Sequence, residues 1–139
     1  MNESHLAYFA GLFDGEGSVY FKRTRQTKHQ RPGKPVHNVT VIRMEIAMTD
    51  RDVIKWCQEL FNCGAFGERK VKEGYKRQWR WRVAHRDALH VALAIWPYAQ
   101  VKLHKIEQII DYYDNYDGTS RGNVVDLQAY RSERKHEME

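Results

Sequence analysis

The segment QWRWRV, Gln78 to Val83, constrains the fold of this chain more than any other stretch. Trp79, Trp81 and Val83 alternate with Gln78, Arg80 and Arg82. Successive side chains of a strand point to opposite faces, so one face here is core and the other is guanidinium and amide. Strands of this kind build an antiparallel sheet that is covered on one side and open on the other.

The remaining segments fit that requirement. Ser18 to Thr27 is predicted as a strand, with Val19 and Phe21 on one face and Tyr20, Lys22, Thr24 and Gln26 on the other. KHQRPGKPVHN follows as a Pro/Gly turn with basic tips, and Val39 to Ala47 returns as a second strand. In that strand Ile42, Met44 and Ile46 point inward, Arg43 and Glu45 outward. Ala65 to Val71 and Lys76 to Ala84 form two more strands, turning around Glu73–Gly74.

Between them lie helices. Ser4 is the expected N-cap of the first, which Leu6, Tyr8, Phe9, Leu12 and Phe13 load with apolar groups before glycines end it. It is apolar nearly all round, which predicts burial on more than one side. Thr49 and Asp50 start a second helix, with Asp52 as a capping-box acid. Its core stripe is Val53, Ile54, Trp56, Cys57, Leu60 and Phe61, and it stops at Asn62–Gly64. A third helix runs from Arg86 or Asp87 to Trp96, broken at Pro97, and a fourth from about Val101 to Tyr113. The order α-β-β-α-β-β-α-α defines an α+β fold with helices on one face of a four-stranded sheet.

The chain has 139 residues, enough for one core, and residues 1–117 are expected to form that domain. Residues 118–139 read as an extension, either a short helix at VVDLQAY or a frayed tail. No long apolar run and no secretory signal are present, which predicts a soluble intracellular protein, cytoplasmic or organellar, with no membrane partner. Cys57 and Cys63 form no CxxC pair and predict no disulfide. Cys57, Cys63, His85 and His90 match no common zinc-finger spacing.

The net charge is only +5, but it is unevenly spread. Ser18 to Arg43 holds seven Lys or Arg and no acid, and Arg69 to Arg86 holds eight against Glu73 alone. Positive charge gathered on two strand pairs predicts a surface that faces a polyanion.

At the end of the first helix stands FAGLFDGEG, Phe9 to Gly17. It resembles the LAGLIDADG signature of homing endonucleases, with Ala10, Gly11, Leu12, Asp14 and Gly17 matching. The predicted αββαββα order is similar to that family's half-saddle. The single motif resembles the homodimeric type, a Mg²⁺-dependent endonuclease that cuts both strands of a long pseudo-palindromic DNA site. Mn²⁺ or Ca²⁺ are alternative hard ions. The resemblance implies short 3′ overhangs and a mobile intron or similar element as the source gene. It also implies that Glu16 is the catalytic, metal-binding acid with the Gly15 carbonyl assisting, that Asp14 is structural, and that Lys102 is the basic residue beside the metals. The polar residue such proteins place at the end of the second strand falls at Met48, which cannot polarise water.

The chemistry explains the pattern independently. Phosphodiester hydrolysis needs negative charge neutralised at the attacking and leaving oxygens, commonly by divalent cations on carboxylates. Mg²⁺ prefers oxygen ligands and keeps several waters, so one carboxylate and one carbonyl per subunit suffice. Two subunits meeting on a dyad would supply the pair, with Ala10 and Gly11 allowing close helix approach and Tyr8, Leu12 and Phe13 on the flanks. For DNA contact the outward positions are Tyr20, Lys22, Thr24, Gln26, Arg43, Glu45, Arg69, Gln78, Arg80 and Arg82, with Lys28, Arg31 and Lys34 expected on phosphates. A non-catalytic DNA-binding regulator, an intron RNA maturase and a structural ribonucleoprotein subunit stay open as alternatives.

Overall fold

Alternation in the strands assembles the core. A computed structural model describes residues 2–25 and 38–116. Most of the basic turn between the first two strands and the whole 118–139 extension lie outside the described residues. The elements are α1 (Glu3–Glu16), β1 (Gly17–Arg25), β2 (Asn38–Met48), α2 (Arg51–Phe61), β3 (Ala65–Arg69), β4 (Gln78–Ala84), α3 (Arg86–Ile95) and α4 (Leu103–Tyr116). The strands pair antiparallel in the order β1-β2-β4-β3.

Alternate residues in the middle of the two central strands are buried: Ile42, Met44 and Ile46 on β2, Trp81 and Val83 on β4. The helices cover that face with Phe9 and Phe13, with Ile54, Cys57 and Phe61, and with Ile95, Ile106, Ile109 and Ile110. Trp81 is the centre of the layer. It stacks on Phe61 at 5.6 Å between centroids, meets Phe9 edge-on at 5.6 Å, and donates from Nε1 to the Cys63 carbonyl oxygen at 2.8 Å. Burial satisfies both the apolar body and the polar tip of the indole. The turn carrying that acceptor needs glycine at Gly64, where φ is +89° and a Cβ would stand 2.6 Å from Trp81 Nε1.

Four sequence expectations shift at element ends. Asn2, not Ser4, caps α1, its side chain accepting from the Ser4 and His5 amides at 2.8 and 3.3 Å. Asp50 caps α2 by accepting from the Val53 amide at 3.1 Å, so the expected Thr49–Asp52 box is displaced by one residue. Strands β3 and β4 stop short of Val71 and Lys76, because residues 70–77 turn through Gly74 at φ +92° with Tyr75 N donating to Lys72 O at 3.1 Å. Lys102 stands just before α4 instead of inside it. Asn62 ends α2 in the left-handed region, as the sequence predicts.

The helix-to-strand junction is set by two residues. Phe13 is fully buried, and a Cβ placed on Gly17 would run into its ring. Gly17 N also caps the helix by donating to Phe13 O. Gly17→Ala is therefore expected to destabilise the fold by about 1–3 kcal/mol, seen as a lower urea midpoint. Gly11→Ala is the control, since a Cβ there meets nothing within 4 Å. It should leave the fold unchanged or stabilise it by up to about 1 kcal/mol.

Candidate functional site

Two features built by the fold carry chemistry, and they meet at one end of the sheet. The first is the end of α1. Glu16 is its last residue and is exposed, as is Gly15. Gly15 lies in the final turn, where carbonyls lack intrahelical partners. Gly17 pairs with Ile46, so Glu16 stands at the end of the sheet where β2 finishes in Ala47 and Met48.

Asp14 fastens a distant segment to this helix end. Its Oδ2 accepts from the Gln100 amide at 2.8 Å and its Oδ1 from the Lys102 amide at 3.0 Å. Lys102 Nζ in turn donates to the Asp14 carbonyl oxygen at 2.9 Å. An ammonium on a last-turn carbonyl satisfies an orphan acceptor and opposes the negative end of the helix dipole. Lys102 is thus brought beside the Glu16 end of α1. The contacts on Asp14 are those of a structural residue.

The second feature is the open face of the sheet. Cross-strand register places Tyr20 beside Arg43, Glu45 beside Arg82, Ala47 beside Arg80, and Arg69 beside Gln78 on that face. Lys22, in register with Val41, joins them. The Arg43 guanidinium lies 4.5 Å from the Tyr20 ring centroid, and Arg69 Nη1 donates to Gln78 Oε1 at 3.3 Å. Glu45 Oε1 accepts from Arg82 Nη2 at 3.0 Å and lies 3.3 Å from Arg80 Nε. Five cations (Lys22, Arg43, Arg69, Arg80 and Arg82) face one acid, Glu45, among the described residues. Thr24 belongs to β1, in register with Val39, while Gln26 and Lys28, with Arg31 and Lys34, lie outside the described residues.

The expected α1 contact face needs one correction. Ala10 is 0% exposed, buried beside Phe9 and Phe13 in this chain's own core. The helical period carries Ala10 onto the same side as Phe13 and turns Gly11 outward. Tyr8 is 59% exposed and Gly11 is exposed, whereas Leu12 is half-buried against the core. Ala7 and Gly15 are also exposed, so the small outward residues of α1 are Ser4, Ala7, Gly11 and Gly15.

Other reactive groups have structural surroundings. Burial pushes the Cys57 thiol up to about 12, and Cys63 is also raised, by burial and then by Asp87. Neither thiol is set up as a nucleophile. Glu68 is held below the usual carboxylate range, chiefly by its hydrogen bonds from Arg77 at 2.8 and 2.9 Å. Arg51 lies 5.4 Å from both the Phe66 and Trp79 ring centroids. Among the described residues no group of three or more His, Cys, Asp or Glu side chains gathers to hold an ion. The lone Glu16 carboxylate with a neighbouring carbonyl is a hard-oxygen donor set that fits a shared cation site and would be incomplete in one chain.

No family model and no curated protein matches the sequence. Solved structures do match the fold. The homing endonuclease I-CvuI, in complex with its DNA target in the presence of Ca, aligns with a TM-score of 0.65 at 14% identity over 84% of this chain and 70% of that one. The homing endonuclease I-TnaI aligns over 96% of this chain and 98% of its own, with a TM-score of 0.54 and 17% identity. The LAGLIDADG meganuclease I-AabMI, bound to uncleaved DNA, aligns at 0.56 and 16% identity over 86% of this chain but only 38% of its own. The chain has the LAGLIDADG homing-endonuclease fold, a half-saddle of four strands with helices on one face.

The Asp14 latch generates a test that needs no substrate. Asp14→Ala removes two hydrogen bonds to a carboxylate and is expected to cost about 2 kcal/mol. Amide exchange at Gln100 and Lys102 should accelerate, and by more than at Ile106 and Ile109, in native-state hydrogen exchange.

Proposed function

We propose that this chain is a site-specific, divalent-cation-dependent double-strand DNA endonuclease of the homing type, acting as a homodimer. The observation that carries the reading is Glu16: an exposed carboxylate ending an apolar helix, beside Lys102, at the edge of a cationic sheet face. The DNA complexes of I-CvuI and I-AabMI, which share the fold, support duplex DNA as the partner.

The chain's own residues divide the work. The sheet face attracts the duplex and presents Arg, Gln and Lys side chains to base edges and phosphates, and a twisted antiparallel sheet matches the major groove. Glu16 and the Gly15 carbonyl would hold Mg²⁺, or Mn²⁺ or Ca²⁺ in its place. Such an ion, when bound, neutralises charge on the oxygens that attack and leave phosphorus. Lys102 keeps a fixed positive charge near the same point. Met48 offers no polar group at the end of β2, so the water would be ordered by other groups.

The dimer reading rests on α1. Gly11 and Gly15 each cost a helix about 1 kcal/mol relative to alanine. Among the described residues nothing requires a glycine at either place, since a Cβ would have no neighbour within 4 Å at both. Close approach by a second helix gives them a purpose, and it would cover the exposed Tyr8. A dyad there would bring two Glu16 carboxylates to one place.

Incubating the protein with a plasmid library, with Mg²⁺ or with chelator, tests the activity. Discrete cation-dependent double-strand cuts are expected. Tight binding without cutting would favour a regulator, and preference for folded intron RNA a maturase. Glu16→Gln should lower cleavage by more than about a hundredfold, the scale of losing one electrostatic stabiliser, with DNA affinity retained. Undiminished cutting would remove Glu16 from the mechanism. Gly11→Leu should leave the monomer folded and raise the dimer dissociation constant by about tenfold or more in sedimentation, because overpacking costs about 1–3 kcal/mol.

A further inference from the structure

The acid on the cationic sheet face has no place in a simple picture of attraction. Glu45 faces outward from a central strand, where it repels phosphate. Its side chain is 25% exposed, less than Arg80 at 37% or Arg82 at 34%. One of its oxygens, Oε1, serves both guanidiniums: it accepts from Arg82 Nε at 3.3 Å and Nη2 at 3.0 Å, and it pairs as an ion with Arg80, 3.3 Å from Nε.

We infer that Glu45 is a positioning residue that presets Arg80 and Arg82 for base reading, and is not itself a reader. The inference rests on the proposed DNA-binding role of this face. Register explains why one acid reaches both arginines. Glu45 lies opposite Arg82, while Arg80 sits one diagonal step away, opposite Ala47. The small Ala47 leaves the diagonal open. Without the carboxylate, two like charges two residues apart on one strand face would splay.

The contacts engage the Nε side of each arginine. The Nη1–Nη2 end is then the edge that matches guanine O6 and N7 in a bidentate pair. A freely rotating arginine loses much rotamer freedom on binding, and an arginine already held at Nε loses less. Stability alone does not account for the triad, since half-exposed ion pairs contribute little to folding. Selectivity does. Neutralising one of the two positive charges weakens indiscriminate phosphate attraction while leaving two ordered donors pointed at the groove.

The test compares the full chain with Glu45→Gln. Both are used to select from a duplex library randomised over the binding footprint, and both are titrated with calf-thymus DNA over a salt series. The wild type is expected to select two strongly preferred guanine positions that are lost separately in Arg80→Ala and Arg82→Ala. In Glu45→Gln the preference at both positions should fall together by about tenfold. Binding to calf-thymus DNA should stay equal or tighten, with an equal or steeper salt slope. Loss of preference at one further position, with the two arginine positions intact, makes Glu45 a direct reader and overturns the inference. Unchanged selectivity overturns it too. NMR of the arginine Nε–H groups supplies a measurement on the wild type alone. Slow solvent exchange at Arg80 and Arg82 supports the clamp, and exchange as fast as that of a free arginine overturns it. A wild type that binds no duplex overturns the DNA-binding reading itself, whereas normal binding with unaltered selectivity overturns this inference only.

Discussion

The indole of Trp81 is the point on which the architecture depends. It is the largest buried group on a central strand, and three elements converge on it: Phe61 from α2, Phe9 from α1 and the Cys63 carbonyl before β3. Aromatic pairs of this geometry add to the burial they already represent. Because Trp81 must point into the core, Arg80 and Arg82 on either side must point out. The cationic face is therefore a direct consequence of where the core is anchored. A register slip of one residue would bury the arginines and expose the tryptophans, so the packing and the charge of the open face are specified together.

Anchoring α1 through Phe9 and Phe13 also fixes where the helix stops. Gly17 leaves no room beside Phe13 for a side chain, and the chain passes directly from helix into β1. Glu16 is thereby held at the seam between helix and sheet, with no freedom to wander along a loop. The Asp14 carboxylate then draws in the segment before α4 through two amides, and Lys102 arrives with it. Glu16 and Lys102, separated by 86 residues in sequence, are brought to one helix end because the Asp14 side chain accepts from the Gln100 and Lys102 amides.

Much of this was legible in the sequence. The alternation of β2 and β4 names the buried and the open faces correctly, since a period of two leaves little ambiguity when one face is aromatic and the other charged. The helices were legible as elements, but their N-caps were not. Asn2 and Asp50 compete with nearby Ser4 and Thr49, and only the backbone conformation decides which side chain folds back. The sequence also could not say which side of α1 faces inward, because a helix apolar all round has no polar stripe to mark its outside. Ala10 shows the consequence: as a small residue it reads as a contact for a second helix, yet it packs inward beside Phe9 and Phe13. The Asp14 latch and the shared Glu45 oxygen depend on contacts across long sequence separations, which no local pattern encodes.

The open face of α1 carries the final step. Within one chain Tyr8 is largely exposed, and Gly11 and Gly15 keep a helix weaker than it need be. Under the proposed dimer both features have one cause. A second copy of the helix can approach only where side chains are absent, and the closer the two axes come, the nearer the two Glu16 carboxylates lie. Two carboxylates converging in this way repel unless a cation sits between them. Subunit association and cation binding would then be thermodynamically linked, each strengthening the other by the same factor. Under the proposed linkage a single chain, which brings one Glu16 carboxylate to the dyad, would be the inactive state.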